Sequence, residues 1–177
     1  MQLLLAPQII KRLKRELRRA GGREIGGLLM GEHVSEEVFH VVDISVQHAG
    51  GSHSCFIRNP SDHKIQLERF FAQTGNDYAR FNYLGEWHSH PSFEPVPSST
   101  DVQTMQSIVD DPNVGVNFLV LLIPKLGSRK RFEATATAFR ARTLPLSVLL
   151  LEASDLKAQR EGGASGWLRG LFGARGK

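Results

Sequence analysis

Cysteine and long apolar runs are the two features that this chain almost lacks. Cys55 is the only cysteine in 177 residues, so an internal disulfide is excluded and this thiol is expected to be a small buried hydrophobic group. No apolar run approaches the ~20 residues that span a bilayer. Residues 1–7 place no basic residue ahead of their short apolar run, which argues against a signal peptide. We therefore expect a cytoplasmic protein without a membrane segment.

Aromatic residues are missing from the most basic part of the chain. Residues 11–23 carry a dense run of cations: Lys11, Arg12, Lys14, Arg15, Arg18, Arg19 and Arg23. Such a run can bind nucleic acid or an acidic protein surface, but no aromatic side chains are interleaved to stack on bases. We favour a solvated helix face and do not expect nucleic-acid binding.

The pattern of apolar residues predicts one α/β domain, with a central mixed β-sheet flanked by helices. We place this domain at residues 1–155 and a Gly-rich, flexible tail at residues 156–177. No repeat or linker divides the chain. The predicted helices are 7–20, 61–74 and 98–111, and the predicted strands are 24–30, 36–46, 82–90, 114–123, 132–140 and 144–151.

The second predicted helix, 61–74, is expected to turn its larger apolar residues toward the core: Ile65, Leu67, Phe70 and Phe71. Most of the histidines in the chain stand without a ligand-like neighbour, and a lone histidine is usually structural or solvated. We assign that role to His33, His40, His48, His53 and His63.

The remaining two histidines form the most informative feature, the run from Gly85 to Pro91, which is closed by Pro97–Asp101. Alternation along a strand points His88 and His90 to the same face. A loop can then fold back and present Asp101 from the first turn of a helix. Two imidazoles and one carboxylate, with a fourth position left open, are the donor set of a catalytic zinc site. The sequence therefore predicts one zinc ion and a metal-dependent hydrolase.

A zinc hydrolase also needs a group that carries protons, and two glutamates compete for this role. Glu86 lies two residues before His88 and shares its face, so local spacing slightly favours it. Glu24 lies far away in sequence, on a predicted strand that could run beside the histidine strand. Ser98 has two interpretations as well: its hydroxyl could stabilise a developing oxyanion or simply cap the helix that carries Asp101.

The segment Glu24–Gly31, followed by His88-Ser89-His90-Pro91 and Ser98–Asp101, resembles the motif of the JAMM (JAB1/MPN/Mov34) metalloproteases. The resemblance covers roughly residues 7–140. It implies a cytidine-deaminase-like fold, with His88, His90 and Asp101 as zinc ligands. It also implies that Glu24, rather than Glu86, is the general acid/base and that Ser98 stabilises the tetrahedral intermediate. The implied reaction is hydrolysis of a peptide or isopeptide bond after the C-terminus of a ubiquitin-like protein.

Within this family the run Tyr83–Pro91 is similar to compact bacterial members. Those accompany E1/E2-like proteins in antiphage systems such as CBASS, where they remove a conjugated partner from the nucleotidyltransferase (CD-NTase). Glu86 departs from many eukaryotic relatives, which carry an aromatic residue there. Two alternatives stay open. One is a JAMM-like module that binds ubiquitin-like tails without turnover. The other is a RadC-like nucleic-acid-associated protein, although Phe93 stands where those proteins typically have Gly. No oligomeric state is predicted.

Overall fold

The computed structural model describes residues 1–52 and 58–153. The predictions for Cys55, His53 and the tail 156–177 fall outside these residues, so the boundaries of domain and tail stay predictions. In chain order the elements are β1 (Gln2–Leu5), α1 (Pro7–Ala20), β2 (Gly26–Ser35), β3 (Val38–Ile44), α2 (Ser61–Gln73), β4 (Phe81–His88), α3 (Ser99–Asp110), β5 (Leu119–Leu126), a 3-10 turn (Ser128–Lys130), β6 (Phe132–Phe139), β7 (Leu146–Ser147) and β8 (Leu149–Glu152).

The strands form one mixed sheet in the order β7-β6-β5-β4-β2-β3-β1-β8. Strand β1 runs parallel to β3 and β8, and β4 runs parallel to β5, while the other pairs are antiparallel. The two end strands, β7 and β8, are separated along the chain by Val148 alone. One short segment therefore joins both ends of the sheet and closes it. The predicted α/β domain with a mixed sheet flanked by helices is confirmed.

The predicted strands differ from the observed ones mainly where pairing is long-range. The run Gln2–Leu5 was not predicted as a strand, yet it lies between β3 and β8 and its leucines are buried. The predicted strand 24–30 begins only at Gly26 and continues to Ser35. The predicted strand 114–123 is β5 and starts at Leu119, because Val114 lies in the exposed turn after α3. The predicted strand 144–151 is divided into two short strands, β7 and β8.

The helices cover the sheet through apolar stripes, as their periodicity requires. Helix α1 buries Ile9, Ile10, Leu13 and Leu17, which confirms its predicted inner face. Its cations point outward: Arg12 pairs with Asp43, and Arg15 and Arg19 pair with Glu16. No helix in the described ranges, 1–52 and 58–153, is long and apolar enough to cross a membrane.

Helix α2 corrects one prediction about the core. Phe70 is buried as expected, but Ile65 is 70% exposed, so its assignment to the inner face was wrong. His63, expected to be an ordinary structural or solvated histidine, is buried in its place. The imidazole can be buried because Ser45 and Gln47, which follow β3, form hydrogen bonds with it.

The order of the central strands brings distant parts of the chain to one end of the sheet. Strand β4 lies between β2 and β5, with Gly26 opposite His88. At Gly85, φ is +143° and a Cβ atom would overlap the backbone of Val120 on β5, so the close approach of these strands requires glycine. The start of β2 therefore lies beside the histidine end of β4.

Candidate metal centre

Strand β4 and helix α3 bring the three predicted zinc ligands together. His88 is the last residue of β4, His90 follows two residues later, and Asp101 lies in the first turn of α3. Their donor atoms all lie within 4.8 Å of one another. His90 is buried, and His88 and Asp101 are partly buried. The loop between Pro91 and Pro97 thus folds back as the sequence predicted and closes the group on one side.

The distances between donor atoms fit a tetrahedral zinc ion. Zn–N bonds of about 2.0–2.1 Å at tetrahedral angles place two donors about 3.3 Å apart. The Nε2 atoms of His88 and His90 lie 3.1 Å apart, and Nε2 of His88 lies 3.4 Å from Oδ1 of Asp101. Nε2 of His90 lies 3.8 Å from Oδ2 of Asp101. The grouping is therefore already close to the size that zinc requires.

Hydrogen bonds outside the group orient His90 and Asp101. Nδ1 of His90 lies 3.0 Å from the carbonyl oxygen of Glu94. Because a carbonyl only accepts, this contact assigns the proton to Nδ1 and leaves the lone pair of Nε2 for a metal. Oδ2 of Asp101 accepts from both the backbone N–H and the hydroxyl of Ser98, each at 2.7 Å. These two bonds leave Oδ1 facing His88.

Ser98 is the N-cap of α3 and forms a capping box with Asp101. The backbone N–H of Asp101 donates to the Ser98 hydroxyl oxygen at 3.2 Å, which satisfies one of the unpaired donors of the helix start. Ser98 also lines the cavity over the ligands. The capping interpretation is thus observed, and the oxyanion role of Ser98 stays a prediction.

The charge of Asp101 is favoured by its neighbours. Burial alone would raise the pKa of Asp101, but the hydrogen bonds from His88 and Ser98 outweigh burial and hold its pKa well below the usual range. The carboxylate is therefore ionised at neutral pH, the form in which it can bind a cation.

The two candidate glutamates occupy different surroundings. Glu24 is 5% exposed and lines the same cavity as His88, His90 and Asp101. Burial raises the pKa of Glu24; the two imidazoles lower it and Asp101 raises it, and the net pKa lies above the ordinary value. A carboxyl group with a raised pKa in a cleft suits proton transfer near neutral pH.

Glu86 is instead engaged in an ion pair. Its Oε1 lies 2.7 Å from Nε of Arg58 and accepts from the Tyr83 hydroxyl at 3.3 Å. Glu86 does not line the cavity over the ligands. Spacing along β4 slightly favoured Glu86 as the proton carrier. Spacing carries no information about Arg58, which lies 28 residues upstream and pairs with Glu86.

The cavity over the ligands has a volume of about 530 Å³. Its lining includes the three candidate ligands, Glu24 and Ser98, together with the apolar side chains of Phe93 and Val96. Both apolar side chains are 53% exposed, so they present apolar surface to anything that enters. A larger cavity, about 770 Å³, lies at the opposite end of β4 near Arg80 and Arg140 and contains none of the predicted site residues.

Ser89 is a positioning residue that sequence reasoning did not single out. It lies between the two histidines and is fully buried. Its backbone N–H donates to the carbonyl of Ile25 at 2.8 Å, and its hydroxyl oxygen accepts from the Ile25 N–H at 3.1 Å. The signal available in the sequence was the position of Ser89 between two candidate ligands, since neighbouring residues of an extended chain point to opposite sides.

Comparison with known proteins identifies the family of this chain. The family model described as prokaryotic homologs of the JAB domain matches residues 6–140. A protein of Vibrio cholerae serotype O1 named CD-NTase/cGAS isopeptidase is 30% identical over 115 residues. The aligned part covers 61% of this chain and 69% of that protein.

Two solved structures match this chain over most of its length, and the first is similar to it in fold. The solution structure of a protein from Desulfitobacterium hafniense gives a TM-score of 0.62 at 17% identity, covering 85% of this chain and 92% of the other. The crystal structure of a JAB1/MPN domain protein from Archaeoglobus fulgidus gives a TM-score of 0.44 at 12% identity, covering 85% and 98%.

Fold and ligand grouping together define a single JAB/MPN-like domain of the α/β class. Because the family match spans most of the chain, from residue 6 to residue 140, the protein belongs to the prokaryotic JAB family. The family match therefore confirms the membership that the JAMM-like motif between Glu24 and Asp101 predicted.

Proposed function

We propose that this protein is a zinc-dependent peptidase or isopeptidase that cleaves after the C-terminus of a ubiquitin-like protein or of a conjugated protein. The observation that carries the proposal is one cavity holding three converging zinc donors and a buried glutamate with a raised pKa. This combination supplies what hydrolysis at a metal requires: a site for the ion and a group for the proton.

The proposed roles follow from the surroundings of each residue. His88, His90 and Asp101 would hold the zinc ion. When bound, zinc would act as a Lewis acid and provide a water nucleophile at neutral pH. Glu24 takes the proton from the attacking water and delivers it to the amine nitrogen as the C–N bond breaks. Ser98, on the cavity wall, donates its hydroxyl to the developing oxyanion while its backbone N–H continues to hold Asp101.

The substrate class is proposed from the family and from the relative in Vibrio cholerae, whose name says that it is an isopeptidase for CD-NTase/cGAS. We propose that the substrate of this chain is a ubiquitin-like protein or a conjugated protein, such as a CD-NTase conjugated by an E1/E2-like enzyme, in an antiphage system of the cytoplasm. The apolar rim formed by Phe93 and Val96 would contact the extended tail beside the scissile bond.

Two measurements test this function. The first is zinc content: purified protein should hold one zinc ion per chain, and His88→Ala or Asp101→Ala should lose it. The second is cleavage of a conjugated CD-NTase or of a ubiquitin-like tail fusion, with and without a chelator. Full zinc occupancy in either variant would contradict the ligand assignment. Protein that binds zinc and the tail but never cleaves would indicate the alternative, a non-catalytic binding module.

A further inference from the structure

A buried cluster of hydrogen bonds lies between the end of β3 and helix α2, away from the metal ligands. Its members are Ser45, Gln47 and His63, with exposed fractions of 0%, 4% and 1%. The Ser45 hydroxyl lies 2.7 Å from Nδ1 of His63, and Nε2 of His63 lies 3.2 Å from Oε1 of Gln47. Buried polar groups at these distances form a connected network rather than isolated contacts.

The chemistry of Gln47 fixes the direction of each bond. Its Oε1 can only accept, and it accepts from the Asn59 backbone N–H at 2.8 Å as well as from His63. Nε2 of His63 must therefore carry the proton, and Nδ1 accepts from the Ser45 hydroxyl. The Ser45 oxygen in turn accepts from the Leu28 N–H on β2 at 2.8 Å. Neutral His63 thus links helix α2 to the sheet.

Gln47 also holds both arms of the loop that joins β3 to α2. On the first arm its Nε2 donates to the carbonyl of Ala49 at 2.7 Å. On the second arm its Oε1 accepts from Asn59. Its own backbone N–H donates to the carbonyl of Gly26 at 2.7 Å, which ties the first arm to the start of β2.

The first arm of this loop runs along the backbone of Glu24. The Glu24 N–H donates to the carbonyl of Ser52 at 2.7 Å. At Gly51 a Cβ atom would overlap the carbonyl oxygen of Glu24, so the two segments touch too closely for any side chain there. Glu24 itself precedes the first residue of β2. The position of Glu24 therefore depends on two sets of contacts. One is the pair of hydrogen bonds between Ser89 and Ile25, and the other is the contact of Glu24 with loop segment 47–52.

We propose that Gln47 and His63 are positioning residues for Glu24: they hold the loop segment 47–52 that sets where the Glu24 backbone lies over the ligands. The inference rests on the proposed function, because it assigns Gln47 and His63 a part in proton transfer by Glu24. Misplacement of a catalytic group by about 1 Å can cost about 10²-fold in rate. None of the three candidate ligands belongs to the network, because His88 ends β4, His90 follows it and Asp101 lies on α3. We therefore expect loss of the network to move Glu24 more than the metal group.

The test compares Gln47→Leu and His63→Leu with His63→Gln, which retains an N–H donor and an acceptor in one side chain. Phe70→Leu is the matched control, since Phe70 is buried on the same helix and its ring carries no hydrogen-bond donor or acceptor. Four quantities are measured: zinc content, kcat and KM for tail cleavage, and hydrogen exchange of the Glu24 amide in the zinc-loaded protein.

In both Leu variants we expect the Glu24 amide to exchange faster and kcat to fall by ~10–100-fold. We expect KM to stay within about twofold of the parent value and the zinc content to stay full. We expect His63→Gln to recover most of the lost kcat, and Phe70→Leu to leave both exchange at Glu24 and kcat close to the parent. Gly51→Ala, which pushes on the Glu24 carbonyl directly, should reproduce the Leu phenotype.

Unchanged exchange at Glu24 in Gln47→Leu would overturn the inference, and so would a lowered kcat of equal size in Phe70→Leu. A parent protein that cleaves no conjugate would overturn the proposed function instead. In that case the exchange measurement still decides whether Gln47 and His63 hold Glu24 in place, so the two failures are distinguishable.

Discussion

Ser89 fixes Ile25 through a pair of hydrogen bonds, one to its carbonyl at 2.8 Å and one from its N–H at 3.1 Å. Ser89 lies between the two histidines of the metal centre, and Ile25 follows Glu24. The pair therefore sets the spacing between the candidate zinc ligands on β4 and the candidate proton carrier at the start of β2.

Ser89→Ala should weaken both the fold and the site. The substitution leaves the buried Ile25 N–H without its side-chain acceptor, which costs about 1–3 kcal/mol. We expect urea unfolding to report that loss, with kcat for tail cleavage falling as well because Glu24 is less well placed. Ser107→Ala is the control: its hydroxyl is exposed and donates to the nearby carbonyl of Thr104, so a change within about 0.5 kcal/mol is expected. Equal effects of the two substitutions would contradict the role of Ser89.

Ser98→Ala separates the two roles of this serine. Loss of the N-cap lowers stability by about 0.5–2 kcal/mol. If the hydroxyl also stabilises the oxyanion, kcat measured at saturating zinc falls by about 10²–10³-fold, and we expect this larger loss. Steady-state kinetics with measured zinc occupancy distinguishes the two roles. A variant that is less stable, yet turns over normally when fully loaded with zinc, would leave Ser98 as a cap alone.

The buried imidazole of His63 predicts a pH dependence of stability. Burial lowers the pKa of His63 below its ordinary value of 6.5, with the nearby Arg58 acting in the same direction and Asp62 opposing it. The unfolded chain therefore binds a proton at higher pH than the folded one. The contribution of neutral His63 is complete above pH 6.5 and is lost as pH falls through the lowered pKa.

Urea unfolding of zinc-free protein at a series of pH values measures this contribution. The free energy of unfolding of the parent should fall more steeply below about pH 6.5 than that of His63→Gln, which cannot titrate. Both proteins keep His88, His90 and Asp101, so the difference between the two curves isolates His63. Parallel curves would show that the pKa of His63 is the same in the folded and unfolded chains, which would contradict the prediction.

Local patterns predicted the parts of this protein that depend on neighbours in sequence. Helix α1 follows from the spacing of Ile9, Leu13 and Leu17. The grouping of the candidate ligands follows from the two-residue spacing of His88 and His90 and from the capping sequence that places Asp101. Such signals lie within a few residues of one another and need no knowledge of the fold.

What the sequence left open depended on contacts between distant segments. Strand β1 is recognisable only through its pairing with β3 and β8. Glu24 could not be chosen over Glu86 from spacing, because the difference lies in Arg58, which pairs with Glu86. The buried role of His63 likewise depends on Ser45 and Gln47, which periodicity along α2 does not include. Tertiary context overrides local preference at each of these positions.

The central claim, that Glu24 carries the proton while zinc is held by His88, His90 and Asp101, is tested most directly by one comparison. Zinc-loaded parent, Glu24→Gln and Glu86→Gln are given the same tail conjugate, and kcat and zinc content are measured together. We predict that Glu24→Gln keeps its zinc and loses about 10²–10⁴-fold in kcat, while Glu86→Gln stays within about tenfold of the parent. Near-parent turnover in zinc-loaded Glu24→Gln would contradict the account.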